Sequence, residues 1–120
     1  MTLSEYQDAA LRTAPRDVTP YHDLLHGALG VATEAGELLD VLKKNHAYGR
    51  GLDHANIREE IGDVLWYLVL LARATGTSLD QIARTNVAKL KQRYPEKFTN
   101  ELALNRNLAA ERAILESHSV

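Results

Sequence analysis

Two stretches of this chain, residues 20–45 and 54–75, carry apolar side chains at alternating steps of three and four residues. This spacing lines up side chains along one face of an α-helix and is typical of helices buried in a bundle. The glycine-containing segment 46–52 separates the two stretches, and a connection that short makes two helices antiparallel neighbours. The predicted core lines are Leu24, Ala28, Val31, Ala35, Leu38 and Leu42, then Ile57, Ile61, Val64, Leu68 and Leu71.

Residues that favour helix starts divide the rest of the chain into further helices. The side chain of Ser, Thr or Asp at an N-cap accepts a hydrogen bond from the first turn of a helix. The predicted caps are Thr2, Thr19, Asp53, Ser78 and Thr99. They predict a short N-terminal helix ending before Pro15, core helices at about 20–45, 54–75 and 78–94, and a peripheral last helix from 100 to about 116. We expect an all-α, four-helix-type bundle in a single domain spanning residues 1–120, with a C-terminal extension at about 99–120.

Composition narrows the functional classes. The net charge of −2 gives no overall attraction to nucleic acid or to an anionic membrane. The chain has no cysteine, which excludes a disulfide scaffold, a thiolate zinc site and a cysteine nucleophile. The polar N-terminus is unlike a signal peptide, and the longest apolar run, residues 64–72, is too short to cross a bilayer. We expect a cytoplasmic protein that binds neither a nucleic acid polymer nor a membrane.

Beside each core line runs a second line with the same spacing, and this second line carries carboxylates. Glu34 and Glu37 lie on the first of the two helices, and Glu60 and Asp63 lie on the second. Residues three apart share a helix face, so each pair forms a two-pronged clamp. Carboxylates on an inward-facing line are unfavourable unless they are paired or bind a metal ion. The second lines are Gly27, Gly30, Glu34, Glu37 and Val41, then Asn56, Glu60, Asp63, Tyr67, Leu70 and Ala74.

The two clamps stand at similar distances from the turn that joins the helices. The first is centred 9–10 residues before Asn45, and the second is centred 8–9 residues after Asp53. At about 1.5 Å per residue, the clamps should lie within roughly one helical turn of each other. Four converging carboxylates repel one another without a cation, and all-oxygen ligation favours Mg²⁺ or Mn²⁺ over zinc or copper. A single Glu-x-x-Glu pair is usually a solvated face, but two pairs placed in this way predict a metal site.

The predicted fourth helix carries the opposite charge. Residues 84–97 include five basic residues and one acidic residue. Lys89 and Arg93, one turn apart, suit a polyphosphate, because Arg forms bidentate hydrogen bonds and Lys supplies a point charge. Cations late in a helix usually just complement its dipole, but beside a cluster of acids they indicate a metal-bridged polyanion such as a nucleoside triphosphate. The predicted core line of this helix is Ala83, Val87, Leu90 and Tyr94, and the line beside it is Leu79, Ile82, Asn86, Lys89 and Arg93.

These residues resemble the MazG-like all-α nucleoside triphosphate pyrophosphohydrolases. The resemblance rests on the motifs Glu34-Ala-Gly-Glu37-Leu, Glu59-Glu60-Ile-Gly-Asp63-Val-Leu-Trp-Tyr and Asn86-x-x-Lys89-Leu-x-x-Arg93-Tyr, and it covers roughly residues 6–93. It implies hydrolysis of a (d)NTP between the α and β phosphates, which gives a nucleoside monophosphate and pyrophosphate. It also implies dependence on Mg²⁺, which Mn²⁺ can replace.

The resemblance further implies roles for individual residues. Glu34 is the first candidate for the general base and Glu59 the second; some relatives carry a further glutamate where this chain has Thr33. Family members act as dimers or tetramers, so we expect a homodimer or a homotetramer. The expected metal ligands are Glu34, Glu37, Glu60 and Asp63, and the expected phosphate-binding residues are Asn86, Lys89 and Arg93.

Other interpretations stay open. The segment His22-Asp-Leu-Leu-His26 looks like a zinc protease motif with aspartate substituted, but no third ligand is evident. His26 and Tyr67 are candidates for the edge of the substrate pocket, whereas Trp66 fits core packing better than stacking on a base. A di-metal carboxylate bundle of the di-iron kind normally needs Glu-x-x-His pairs, which this chain lacks at both clamps. A non-catalytic helical interaction module with an exposed acidic face is the remaining alternative.

Overall fold

Six helices make up the computed structural model, which describes residues 1–117. They are α1 (Leu3–Leu11), α2 (Pro20–Tyr48), α3 (His54–Ala74), α4 (Leu79–Arg93), α5 (Asn100–Leu104) and α6 (Leu108–Ser117). The described residues contain no strand, so the expected all-α fold is confirmed. The last three residues of the predicted domain and of its C-terminal extension lie outside the described residues.

The predicted caps account for the starts of the first five helices. Each cap side chain accepts a hydrogen bond from the backbone N–H three residues later. At α1 the side chain of Glu5 also accepts a hydrogen bond from the backbone N–H of Thr2. These bonds satisfy donors that a helix leaves unpaired in its first turn. The caps are Thr2, Thr19, Asp53, Ser78 and Thr99.

Two helix ends differ from the prediction. The second helix continues to Tyr48 and stops at Gly49, whose φ of 67° lies in the left-handed region that glycine adopts without strain. The single last helix predicted from residue 100 to about 116 is wrong, because α5 ends at Leu104 and α6 begins at Leu108. The break lies at Asn107, whose side-chain oxygen accepts the N–H of Ala110 at 3.0 Å and so starts a new helix.

The hairpin of α2 and α3 is the most extensive packing in the molecule, and glycines bring the two helices close together. Gly27 and Gly30 are buried on α2. A Cβ atom at Gly30 would lie 2.1–2.3 Å from the ring of Tyr67, and one at Gly27 would lie 2.8 Å from Leu71. The side chains of α3 therefore occupy space on α2 that any residue larger than glycine would fill.

The face of each helix that meets its neighbour also differs from the prediction. Gly27, Gly30 and Val41, from the line that carries the acids, are buried, whereas Leu24, Leu42 and Ile61 from the predicted core lines are exposed. On α4, Val87 is 50% exposed and Leu90 is also exposed, although both belong to the predicted core line. The acid-bearing lines hold α2 and α3 together, and much of the predicted core faces outward in the single chain.

A hydrophobic core joins α1, α3 and the start of α4. It consists of Ala10, Val69, Ala72 and Leu79, with Trp66 partly buried beside it. The indole Nε1 of Trp66 donates to the hydroxyl of Thr13 at 2.9 Å, which supports the packing role expected for this tryptophan. None of the helices in residues 1–117 combines the length and the apolar character that a membrane span requires.

Candidate active site

Three of the four predicted acids converge between α2 and α3. Glu34 and Glu37 come from α2, Glu60 comes from α3, and one carboxylate oxygen of each lies within 4.8 Å of the other two. The side chains meet because the acid-bearing lines of the two antiparallel helices face each other. The convergence inferred from the distance of each clamp to the turn is thus present for these residues.

Two oxygens in this acidic cluster are buried without a partner. Glu60 is 4% exposed, and Oε2 of Glu60 and Oε2 of Glu34 accept no hydrogen bond from any residue within 1–117. A buried carboxylate oxygen that lacks a donor is strongly unfavourable. Oxygen-only donor sets suit a hard divalent cation, so the cluster of Glu34, Glu37 and Glu60 fits a Mg²⁺ or Mn²⁺ ion.

The electrostatics of the cluster show how unfavourable it is without a cation. Burial is the largest cause that raises the pKa of Glu34 to about 7, followed by hydrogen bonding with the carboxyl of Glu60 and by the charges of Glu37, Asp63 and Glu60. Repulsion from Glu60, with burial as the second cause, raises the pKa of Glu37. Carboxyl groups crowded in this way either hold a proton or bind a positive charge.

Asn56 orients Glu60, and the sequence analysis did not assign it to the site. Its side-chain amide donates to Oε1 of Glu60 at 2.7 Å and to Oε2 of Glu59 at 3.2 Å. The amide thus fixes one oxygen of Glu60 and leaves the other available. The sequence does indicate this contact, because Asn56 precedes Glu60 by four residues on the acid-bearing line and so shares its helix face.

The remaining predicted acids lie at the edge of the cluster. Asp63 is exposed and does not belong to the group of mutually close oxygens, although its charge contributes to the raised pKa of both Glu34 and Glu37. Asp63 also lies near α1, where burial and then the charge of Asp63 raise the pKa of Tyr6. Glu59 is exposed, and its carboxylate accepts a hydrogen bond from Asn56, which also donates to Glu60.

An aromatic group adjoins the acids along the same seam. The ring of Tyr67 packs over Gly30, one turn before Glu34, and lies edge-on to His26 with centroids 5.6 Å apart. Nδ1 of His26 is buried and has no hydrogen-bond partner in the described part of the chain. His26 and Tyr67 therefore lie together, about two helical turns along α2 and α3 from Glu34 and Glu60.

The acidic residue of the motif that resembles a zinc protease is engaged in an ion pair. Asp23, the acid between His22 and His26, is buried and accepts two hydrogen bonds from Arg73, at 2.6 and 2.8 Å. These bonds lower the pKa of Asp23, so the carboxylate is committed to an ion pair and is not free to act as a base. Arg73 also donates to the carbonyl of Pro15 at 3.0 Å, which fixes the link between α1 and α2.

The predicted phosphate-binding residues lie on α4, away from these contacts. Asn86 is exposed and Lys89 is half-buried. The guanidinium of Arg93 binds Glu111 of α6, with Nε to Oε1 at 2.7 Å and Nη2 to Oε2 at 3.3 Å. Within residues 1–117 no hydrogen bond or ion pair links Asn86, Lys89 or Arg93 to the acidic cluster. Glu111 could not be predicted as the partner of Arg93 from the sequence, because nothing in the spacing of these residues connects α6 to α4.

The class of protein to which this hairpin belongs follows from its match to a known family. Residues 25–98 match the family described as the MazG nucleotide pyrophosphohydrolase domain. The match covers more than half of the chain and includes Glu34, Glu37, Glu59, Glu60 and Asp63. The chain belongs to this family.

One similar protein comes from a bacteriophage. The chain is 30% identical over 101 residues to the Gene 37 protein of Mycobacterium phage L5, which covers 78% of this chain and 89% of the phage protein. No solved structure matches the chain significantly.

Proposed function

We propose that this protein hydrolyses a (d)NTP between the α and β phosphates, releasing a (d)NMP and pyrophosphate, in a reaction that depends on Mg²⁺. Membership of the MazG family supports the class of reaction. The single observation that carries the proposal is the pair of buried carboxylate oxygens, on Glu34 and Glu60, that lack any donor within residues 1–117. A purely structural pair of helices would avoid this arrangement.

The residues that would hold the metal ion are Glu34, Glu37 and Glu60, with Asp63 at the edge of the cluster. A bound Mg²⁺, which Mn²⁺ can replace, orients the triphosphate, stabilises charge on the phosphoryl group and lowers the pKa of a bound water. Asn56 holds Oε1 of Glu60 and so leaves Oε2 free to act as a ligand.

Glu34 is our first candidate for the general base, and Glu59 is the second. A general base takes a proton from the attacking water, and Glu34 suits that role because its carboxylate belongs to the cluster that would hold the metal ion. We assign the substrate phosphates to Asn86, Lys89 and Arg93, and the edge of the nucleotide pocket to His26 and Tyr67. The proposed setting is the control or house-cleaning of cytoplasmic nucleotide pools by a homodimer or homotetramer.

The test is a panel of standard and modified (d)NTPs, each incubated with Mg²⁺ or Mn²⁺. We expect at least one nucleotide to yield pyrophosphate and a monophosphate, and no orthophosphate. Removal of divalent cations with EDTA should stop the reaction. A panel that releases no pyrophosphate with either metal ion would overturn the proposed function.

A matched pair of variants tests the acidic cluster. Glu37→Gln removes one ligand charge while keeping the side-chain shape, and we expect kcat/KM to fall by at least about 100-fold. The control is Asp40→Asn, one turn further along α2, where the native carboxylate binds Lys43 at 3.2 Å and Lys44 at 2.7 Å. We expect that variant to stay within about twofold of wild type.

The same variants separate an enzyme from a helical interaction module. In a module, Glu37→Gln would leave the melting temperature unchanged or raise it, and divalent cations would not affect melting. In the proposed enzyme, Mg²⁺ raises the melting temperature of wild type, and Glu37→Gln reduces that increase.

A further inference from the structure

A buried carboxylate in the C-terminal segment holds two arginines together. Glu111 of α6 is only 3% exposed. Its Oε1 accepts from Nε of Arg93, and its Oε2 accepts from Nη2 of Arg93 and from Nη2 of Arg106, the last at 2.5 Å. Both arginines lower the pKa of Glu111 to about 2, so it is ionised at any working pH.

The charges at this point do not balance. A buried ion pair needs one cation for one carboxylate, but Glu111 faces both Arg93 and Arg106. Lys89 precedes Arg93 by one turn of α4, and no acidic side chain of the described residues forms an ion pair with it. We call Lys89, Arg93 and Arg106 the cationic cluster. Its excess positive charge is suited to an anion that carries several negative charges.

Arg93 and Arg106 keep N–H donors that Glu111 does not use. A guanidinium group carries five N–H donors. Glu111 uses Nε and Nη2 of Arg93 but only Nη2 of Arg106. The side chain of Arg93 is 16% exposed and that of Arg106 is 40% exposed, so unused donors can meet a ligand from solvent.

The buried pair of Arg73 with Asp23 has one carboxylate for one arginine, and two further arginine pairs look different again. Arg84 pairs with Asp80 and Arg112 pairs with Glu116, each within one helix, at its exposed surface, with one carboxylate for each arginine. The contacts of Glu111 instead join α4 to α6 and to the α5–α6 link, across 18 and 5 residues. These contacts use a buried carboxylate to fix two arginines side by side.

We propose that Arg106 is an additional phosphate-binding residue and that Glu111 positions it beside Arg93, so that the C-terminal segment completes a polyphosphate site begun on α4. Arg106 and Glu111 lie beyond residue 98, where the match to the family ends. The choice of a polyphosphate as ligand rests on the proposed function. The arrangement of the two arginines around Glu111 does not depend on it.

The test measures binding of inorganic tripolyphosphate by calorimetry, at low ionic strength and without divalent cations. Wild type binds, and Arg106→Gln weakens the affinity by about tenfold, the loss expected for one charge-assisted contact. Arg112→Gln is the matched control, because it removes the same charge from the same segment. We expect it to change the affinity by less than about twofold.

Glu111→Gln distinguishes positioning from net charge. Removing a negative charge should strengthen anion binding if only net charge matters, whereas loss of positioning should weaken it by about fivefold. Tighter binding would show that Glu111 competes with the anion and would overturn its positioning role. If this variant does not melt cooperatively, Arg106→Gln alone decides.

Two results would overturn the proposal for Arg106. One is wild-type protein that binds no tripolyphosphate, and the other is equal affinity for Arg106→Gln and Arg112→Gln. Failure of the proposed function would instead appear as absent pyrophosphate release with intact tripolyphosphate binding. If the enzyme is active, Arg106→Gln should raise KM for the nucleotide more than it lowers kcat, and Arg106→Lys should recover part of the affinity.

Discussion

Tyr67 lies against the backbone of α2 because residue 30 has no side chain. The ring atoms of Tyr67 stand 2.1–2.3 Å from the position that a Cβ at Gly30 would occupy. The same close approach holds α3 near enough to α2 for Glu60 to meet Glu34 and Glu37, about one and two turns further along α2. Gly30, together with Gly27, therefore allows the spacing on which the acidic cluster depends.

Gly30→Ala tests this dependence. The new methyl group would overlap the ring of Tyr67, so we expect the variant to lose about 1–3 kcal/mol of unfolding free energy. The measurement is the urea midpoint of metal-free protein. Gly62→Ala is the control, since a Cβ at Gly62 meets nothing within 4 Å. That variant should gain about 0.5–1 kcal/mol, because alanine favours a helix over glycine. Equal midpoints for the two variants would contradict the contact between Gly30 and Tyr67.

At the scale of elements, the seam between α2 and α3 carries a pH dependence. The pKa of Glu34 is raised from 4.5 to about 7 in the folded chain, chiefly by burial. A carboxyl group with a raised pKa favours folding while it is protonated. Its contribution is fully present below the unfolded pKa of 4.5 and is lost as the pH rises through about 7.

Metal-free wild type should therefore melt at a lower temperature as the pH rises from about 4.5 to 7, relative to Glu34→Gln at the same pH. Glutamine has no proton to lose, so the variant lacks this part of the slope. Scanning calorimetry of both proteins in EDTA buffers gives the difference. Saturating Mg²⁺ should reduce the slope of wild type, because a cation favours the ionised carboxyl. Parallel curves for the two proteins would mean that Glu34 is not perturbed by its neighbours.

How far the sequence predicts these elements depends on the range of the interactions. The caps at Thr19 and Asp53 act within one turn and could be predicted. The approach of Glu34 to Glu60 could also be predicted, because both clamps stand at similar distances from the turn that joins the two helices. The choice of which line of α2 faces α3 could not, because it depends on Tyr67 fitting over Gly30 across the interface. The bond from Arg93 to Glu111 was also missed, since it spans 18 residues and follows from the break at Asn107.

At the scale of the whole molecule, the single chain is unusually open. Its radius of gyration is 17.4 Å, whereas a compact domain of this length has about 14 Å. α2 also has an outer apolar line on the side away from α3. It is formed, with steps of four and three residues, by Leu25, Leu29, Ala32, Gly36 and Leu39. Leu25, Leu29 and Leu39 are all exposed in the single chain. Such a line is typical of a helix that packs against another helix.

We propose that this outer apolar line of α2, from Leu25 to Leu39, packs against another copy of the chain in a homodimer or homotetramer. Leu29→Glu places a charge in the middle of the line, and burying an unpaired charge there would cost several kcal/mol. We expect light scattering after size exclusion to give an oligomer for wild type and a monomer for Leu29→Glu. Leu104→Glu, on α5 and 84% exposed, is the control that should keep the wild-type mass. If wild type elutes as a monomer at micromolar concentration, or if Leu29→Glu keeps the wild-type mass, the line does not form the contact. In that case the exposed leucines of α2 would need a different partner to cover them, because a soluble monomer rarely leaves so continuous an apolar line in water.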